Sequence, residues 1–126
     1  MPIITLAINC EVSSELRLVV VERLTDITCS VLGKKRALTV VRIDALPVCD
    51  FYIAGKSTDC IVAHLEIAIT AGSNSQIEKT AWIKAAWQTL REVLGVSMQP
   101  SYILIHEVPG NCWGYNGLSQ FFRSGL

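Results

Sequence analysis

At 126 residues, with 11 basic and 11 acidic side chains and a formal net charge of zero, the chain fits one domain, residues 1–126, with a genuine core. Its single basic cluster, Lys34-Lys35-Arg36, reads as a solvated helix-to-strand connection, and nucleic acid would need a denser stripe. Hydrophobic residues make up 51% and the mean hydropathy is +0.41, rich enough that we expect subunits to share apolar surface in an obligate oligomer.

Pro2, Ile4, Leu6 and Ile8 alternate with lesser residues, the period of a half-buried strand. Ser13 or Ser14 then offers an N-cap to a helix in which Val20, Leu24, Ile27 and Val31 form one apolar stripe, and Gly33 suits its C-terminal cap. Residues 38–45 read as the next strand, ended by Pro47, which has no ladder donor. A short hairpin containing Phe51 and Gly55 follows. Ala63, Leu65, Ile67 and Ile69 begin the same series again. Ser73 or Ser75 caps a second helix with a stripe of Ile83, Trp87, Leu90 and Leu94, closed by Gly95. Residues 101–108 form another strand, ended by Pro109, and a hairpin runs from Trp113 to Gly117.

The chain is thus written twice. Val31-Leu32-Gly33 recurs as Val93-Leu94-Gly95, and the same gap-free shift carries Pro47 onto Pro109, Phe51 onto Trp113 and Gly55 onto Gly117. Two pseudo-repeats, about residues 1–59 and 60–126, make one domain. The expected class is α/β (α+β): two tandem β-α-β units forming a four-stranded mixed sheet, both helices on one face, plus short β-hairpins. The other sheet face should carry Arg42, Asp44, His64, Glu66, Tyr102 and His106 with Cys60 and Val62, a surface suited to packing between subunits.

Five cysteines form an odd set without a Cys-x-x-Cys pair, and the two histidines lack ligand spacing. Neither a secreted disulfide scaffold nor a structural zinc site is expected; reduced thiols in a cytoplasmic protein are. Residues 1–10 lack the basic region of a secretory signal, and no apolar run reaches membrane-spanning length.

A β-α-β unit written twice and opened by Met1-Pro2-Ile3-Ile4 resembles the tautomerase superfamily over nearly the whole chain. Ile105-His106-Glu107-Val108-Pro109 and then Trp113-Gly114-Tyr115-Asn116-Gly117 are similar to its hydrophobic-wall hairpin. Residues 63–75 are similar to a strand and turn of 5-carboxymethyl-2-hydroxymuconate isomerase. The resemblance implies a tautomerase/MIF-like fold of two fused units, a homotrimer, a small-molecule carbonyl substrate, no cofactor and no metal. It also implies that Pro2, freed by removal of Met1, is catalytic. Positions that hold arginines in 4-oxalocrotonate tautomerase are here Val12 and Val40, and in the second half Ser73 and Tyr102, which argues against that enzyme's dicarboxylate substrates.

An ordinary α-amine titrates near about 7.7–8. Burial disfavours its charged form and a nearby cation lowers it further, leaving a neutral base that can move a proton next to a carbonyl. The pyrrolidine ring also pre-aims the lone pair. Ala63 stands at the corresponding place in the second half, where its nitrogen is an internal amide, so one site per chain is expected. For substrate binding the candidates are Lys56 in the first hairpin, expected to border the Pro2 pocket, and Arg42 on the sheet face. Tyr102 and His106 are candidate carbonyl donors, Phe51 and Trp113 candidate walls, and Tyr115 and Asn116 weaker hydrogen-bonding groups. Each has a purely structural alternative, such as an Arg42–Asp44 ion pair or a core aromatic. Cys10 lacks a flanking base and is no nucleophile. Two other functions fit the same frame: a decarboxylase or dehalogenase with protonated Pro2 as acid, and a non-catalytic trimeric binding protein.

Overall fold

The structure, a computed structural model, describes residues 1–125. Strand β1 (Ile3–Ile8), helix α1 (Ser14–Leu32) and strand β2 (Val40–Ala45) form the first unit, followed by the hairpin β3 (Tyr52–Ile53) and β4 (Lys56–Ser57). Strand β5 (Ala63–Thr70), helix α2 (Gln76–Leu94) and strand β6 (Tyr102–Val108) form the second. The hairpin β7 (Gly114–Tyr115) and β8 (Leu118–Ser119) and a short helix α3 (Gln120–Arg123) close it. The main sheet runs β2-β1-β5-β6. β1 and β2 are parallel, as are β5 and β6, whereas β1 and β5 are antiparallel. The mixed sheet expected from the repeat is therefore present.

Alternation fixes the two faces. Ile4, Leu6, Ile8, Leu65, Ile67 and Ile69 are fully buried beneath the helices, each contributing about 1.5–3 kcal/mol of apolar transfer free energy. Ser13 caps α1 by accepting from the Leu16 amide, and Ser75 caps α2 in a reciprocal box with Glu78. Gly33 and Gly95 end the helices in the left-handed conformation, where a side chain would be strained.

Half of each expected helix stripe is buried as read, Val20 and Leu24 in α1 and Leu90 and Leu94 in α2, and the other half is displaced by one position. In α1 the buried residues are Val20, Leu24, Thr28 and Leu32, with Ile27 and Val31 only partly covered. In α2 they are Trp82, Ala86, Thr89, Leu90 and Leu94, and Ile83 is exposed. Two buried threonines join the stripes, and Thr28 together with Trp82 accounts for the displaced positions. The Thr28 hydroxyl donates to the Leu24 carbonyl at 2.7 Å and accepts from Trp82 Nε1 at 3.1 Å; the Thr89 hydroxyl donates to the Ala85 carbonyl at 2.9 Å. Once back-bonded, each behaves as an apolar filler, and Trp82 can lie wholly between the helices with its N–H satisfied.

Among the described residues no layer covers the second sheet face. Glu66 Oε1 lies 3.0 Å from His106 Nε2 and 3.3 Å from His64 Nε2, and Arg42 pairs with Asp44 at 3.1 Å. The two histidines hold the Glu66 carboxyl below its usual range, His106 most. Ile3, Val40 and Tyr102 are exposed beside them. Val62, expected on this face, is instead buried, because its amide donates to Asn9 Oδ1 at 2.8 Å before β5 begins. All five cysteines are free, and no helix among the described residues is long and apolar enough to cross a membrane.

Candidate active site at the start of the first strand

Pro2 is buried where β1 begins, its carbonyl accepting from the Val40 amide at 3.2 Å. Topology determines its neighbours. Parallel pairing brings the segment before β2 back beside the start of β1, while antiparallel β5 and parallel β6 end there. The hairpin that follows β6 consequently folds over Pro2. Trp113 Nε1 donates to Thr70 Oγ1 at 3.2 Å, which fixes the indole, and the Gln120 amide donates to the Trp113 carbonyl at 2.9 Å.

The resulting cleft includes two adjoining compartments. One, of about 350 Å³, is lined by Pro2, Leu38, Val40, Trp113, Tyr115 and Asn116, among others, and by no charged side chain. The other, of about 590 Å³, is lined by Lys34, Lys35, Gln120 and Arg123 among others. Met1, Leu38 and Tyr115 border both. Because Met1 precedes Pro2, the proline nitrogen is here an amide. The Met1 α-amine is held below its ordinary value, first by burial and then by the charges of Lys34 and Lys35.

Lys34 is itself half-buried and donates to Ser73 Oγ at 2.8 Å. Burial pushes its ammonium down, partly opposed by the Glu78 carboxylate. Ser73 stands where the family resemblance would place an arginine; the cation is delivered to that place by Lys34 instead. The other first-unit arginine positions are filled by Val12, in the core, and Val40, on the cleft wall.

Of the candidate site residues, Pro2 and Trp113 come together in one compartment, with Tyr115 and Asn116. Phe51 and Lys56 do not join them. Their hairpin follows β2 and lies at the far end of the sheet, where Asn9 Nδ2 bonds the Val48 and Cys60 carbonyls. The expectation that Lys56 borders the Pro2 pocket fails within the chain for that reason. Arg42, Tyr102 and His106 lie on the bare sheet face and line neither compartment. Lys34 and Lys35, read from sequence as a solvated connection, reach the cleft, as does Arg123. The signal was available: a segment just before a strand parallel to β1 must return to the start of β1.

No family model and no curated protein matches the chain at the level of sequence. Solved structures match its fold. A fused 4-OT described as the R7 wild-type asymmetric trimer is 22% identical, with a TM-score of 0.84 over 97% of this chain and 98% of that one. Pt0534 inactivated by 2-oxo-3-pentynoate is 20% identical, with a TM-score of 0.87 over 96% and 98%. A macrophage migration inhibitory factor-like protein from Entamoeba histolytica is 17% identical, with a TM-score of 0.77 over 94% and 97%. The chain thus shares its fold, two β-α-β units in one chain, with these fused 4-OT and macrophage migration inhibitory factor-like structures.

Proposed function

We propose that removal of Met1 makes the Pro2 nitrogen the general base of a keto–enol tautomerase acting on a small 2-oxo acid. One observation carries this reading: a buried proline at the chain start forms the wall of an uncharged compartment beside two lysines. Desolvation and those cations favour a neutral amine. The amine takes the proton from the carbon next to the carbonyl. The C–H electrons become the new C=C bond, and the carbonyl π pair moves to oxygen, which is protonated as the enol. Reversal returns the ketone, so no cofactor or metal is consumed. Trp113 excludes water, and Lys34 and Lys35 draw the anionic substrate. The causes that lower the Met1 amine, burial and the two lysines, would act on a freed Pro2 amine too and favour the base role over the acid role needed by a decarboxylase or dehalogenase.

We further propose a cytoplasmic homotrimer in which the bare sheet face is buried. The exposed Ile3, Val40 and Tyr102 support it, as do trimeric neighbours of the same fold; light scattering at three times the chain mass is the expected result, and a monomer would refute the assembly. The mechanism is tested with phenylpyruvate enolisation. Pro2→Ala, which keeps an amine but loses the ring, should lower kcat/KM by about a hundredfold, and a form that retains Met1 should be inactive. Equal rates in all three forms would overturn the proton shuttle.

A further inference from the structure

The two compartments of the cleft differ in charge, and the tautomerase reading uses mainly one of them. Lys34, Lys35 and Arg123 line the larger compartment, and among the described residues no acidic side chain does. The cations come from separate parts of the fold. Lys34 and Lys35 leave the end of α1, whereas Arg123 ends α3. Arg123 is aimed by its own contacts: Nη2 donates to the Tyr115 carbonyl at 2.8 Å, and the guanidinium lies 3.8 Å from the Tyr115 ring centroid. Both contacts leave further guanidinium N–H groups to donate. The Lys35 ammonium makes no ion pair among the described residues. Gln120, on the same lining, supplies an independent mark. Its Oε1 is shielded from solvent and accepts no hydrogen bond, the sole such side-chain atom among the described residues. A shielded acceptor without a donor is costly and calls for a partner from outside the chain.

We propose that this compartment binds a phosphoryl group, so that the substrate is a 2-oxo acid bearing a phosphate ester distal to the reacting carbonyl; this rests on the tautomerase reading for the reacting end. The charge count selects the ligand. A carboxylate of the 2-oxo acid balances one of three cations, and a phosphoryl group, at about −1.5 to −2 near pH 7, balances the other two. Its three terminal oxygens can be reached from both sides at once, by lysines from the α1 end and by the planar donor fork of Arg123. A hydroxyl on the ligand, on carbon or on a singly protonated phosphate, donates to Gln120 Oε1. Met1 borders both compartments, so its removal joins them into one cleft with the Pro2 nitrogen at the junction.

Inorganic phosphate is the probe, titrated into the full-length chain with Met1 removed and followed by amide NMR, with chloride at matched ionic strength as the control. Saturable shifts are expected at Lys34, Lys35, Gln120 and Arg123. Arg123→Gln and Lys35→Gln should each weaken Kd by about five- to tenfold, the loss of one charge-assisted contact, and Arg123→Lys should recover part of it. The Lys35 variant touches an exposed, unpaired side chain, so folding does not confound it. Unsaturable shifts, shifts equal to those of chloride, or an unchanged Kd in both glutamine variants would overturn the site. Phosphate binding without Pro2-dependent enolisation would keep the site and remove the tautomerase. Pro2-dependent enolisation of phenylpyruvate without phosphate binding would remove the site alone.

Discussion

The two ends of the sheet are copies of one design used differently. At one end Pro2 opens β1; at the other its counterpart Ala63 opens β5. The Ala63 amide donates to Ser101 Oγ at 2.9 Å, and the neighbouring Val62 amide donates to Asn9 Oδ1, whose amide in turn bonds the Cys60 carbonyl at 2.9 Å. These bonds hold the connection between the two units. At the Pro2 end Trp113 and three cations, Lys34, Lys35 and Arg123, gather around the cleft instead. The hairpins repeat this contrast. Both turn on two residues of positive φ, Ala54-Gly55 and Asn116-Gly117, yet the first carries Phe51 and Lys56 where the second carries Trp113 and Leu118. The two units share one scaffold, and what gathers around Pro2 and around Ala63 sets them apart.

The sharpest way to break this asymmetry is at the wall. A Cβ on Gly114 would collide with the Leu118 carbonyl and force β7 from β8. Gly114→Ala should therefore lower kcat/KM by on the order of a hundredfold through misplacement of Trp113. Thermal unfolding should show little change, because this small hairpin is peripheral to the core. A normal rate would mean that the wall has no part in the reaction. At the opposite end Asn9→Ala leaves the Val62 amide and the Cys60 carbonyl without partners in the interior. A loss of about 2–3 kcal/mol in urea unfolding is expected, since stranded buried polar groups forfeit their solvation. A loss below about 0.5 kcal/mol would show that water replaces the side chain.

A subtler test reads the cations through pH. The Met1 amine is depressed by burial first and then by Lys34 and Lys35, and a Pro2 amine one residue deeper meets the same causes. A base with a lowered pKa is active above that pKa and loses activity as pH falls through it. Lys34→Gln removes one of the lowering charges, so the acid limb of kcat/KM should move to higher pH, with the plateau rate less affected; an unmoved limb would show that the lysine does not act on the base. The smallest effect is in the first hairpin. Ala54 sits at φ 54°, where Asn116 holds the equivalent place in the second. Ala54→Asn should stabilise the chain by about 0.5–1 kcal/mol, because asparagine tolerates this turn conformation better, measurable as a small rise in Tm without change in rate.

Much of the architecture could be read from the chain because its periods are local. Alternation from Ile4 to Ile8 and from Leu65 to Ile69, serine caps, the glycines that end the helices and the repeat spacing all act over a few residues. They specify two β-α-β units wherever those residues occur. The helix stripes were read correctly at Val20, Leu24, Leu90 and Leu94 and missed Thr28 and Thr89, which count as polar in a pattern yet satisfy their hydroxyls within their own helices. Only the packed chain reveals Trp82 between them.

Sequence alone determined the repeat spacing and the mixed sheet, since both follow from short-range periodicity, and it marked Pro2 as the candidate residue. What surrounds Pro2 was decided in three dimensions. Trp113, Lys34, Lys35 and Arg123 are scattered over most of the chain and meet only because β1 pairs parallel to one neighbour and antiparallel to the other. The same pairing sends Lys56 to the far end. Strand direction is a property of the whole sheet, stabilised by contacts summed across distant segments, so it assigns neighbours that no local pattern can express.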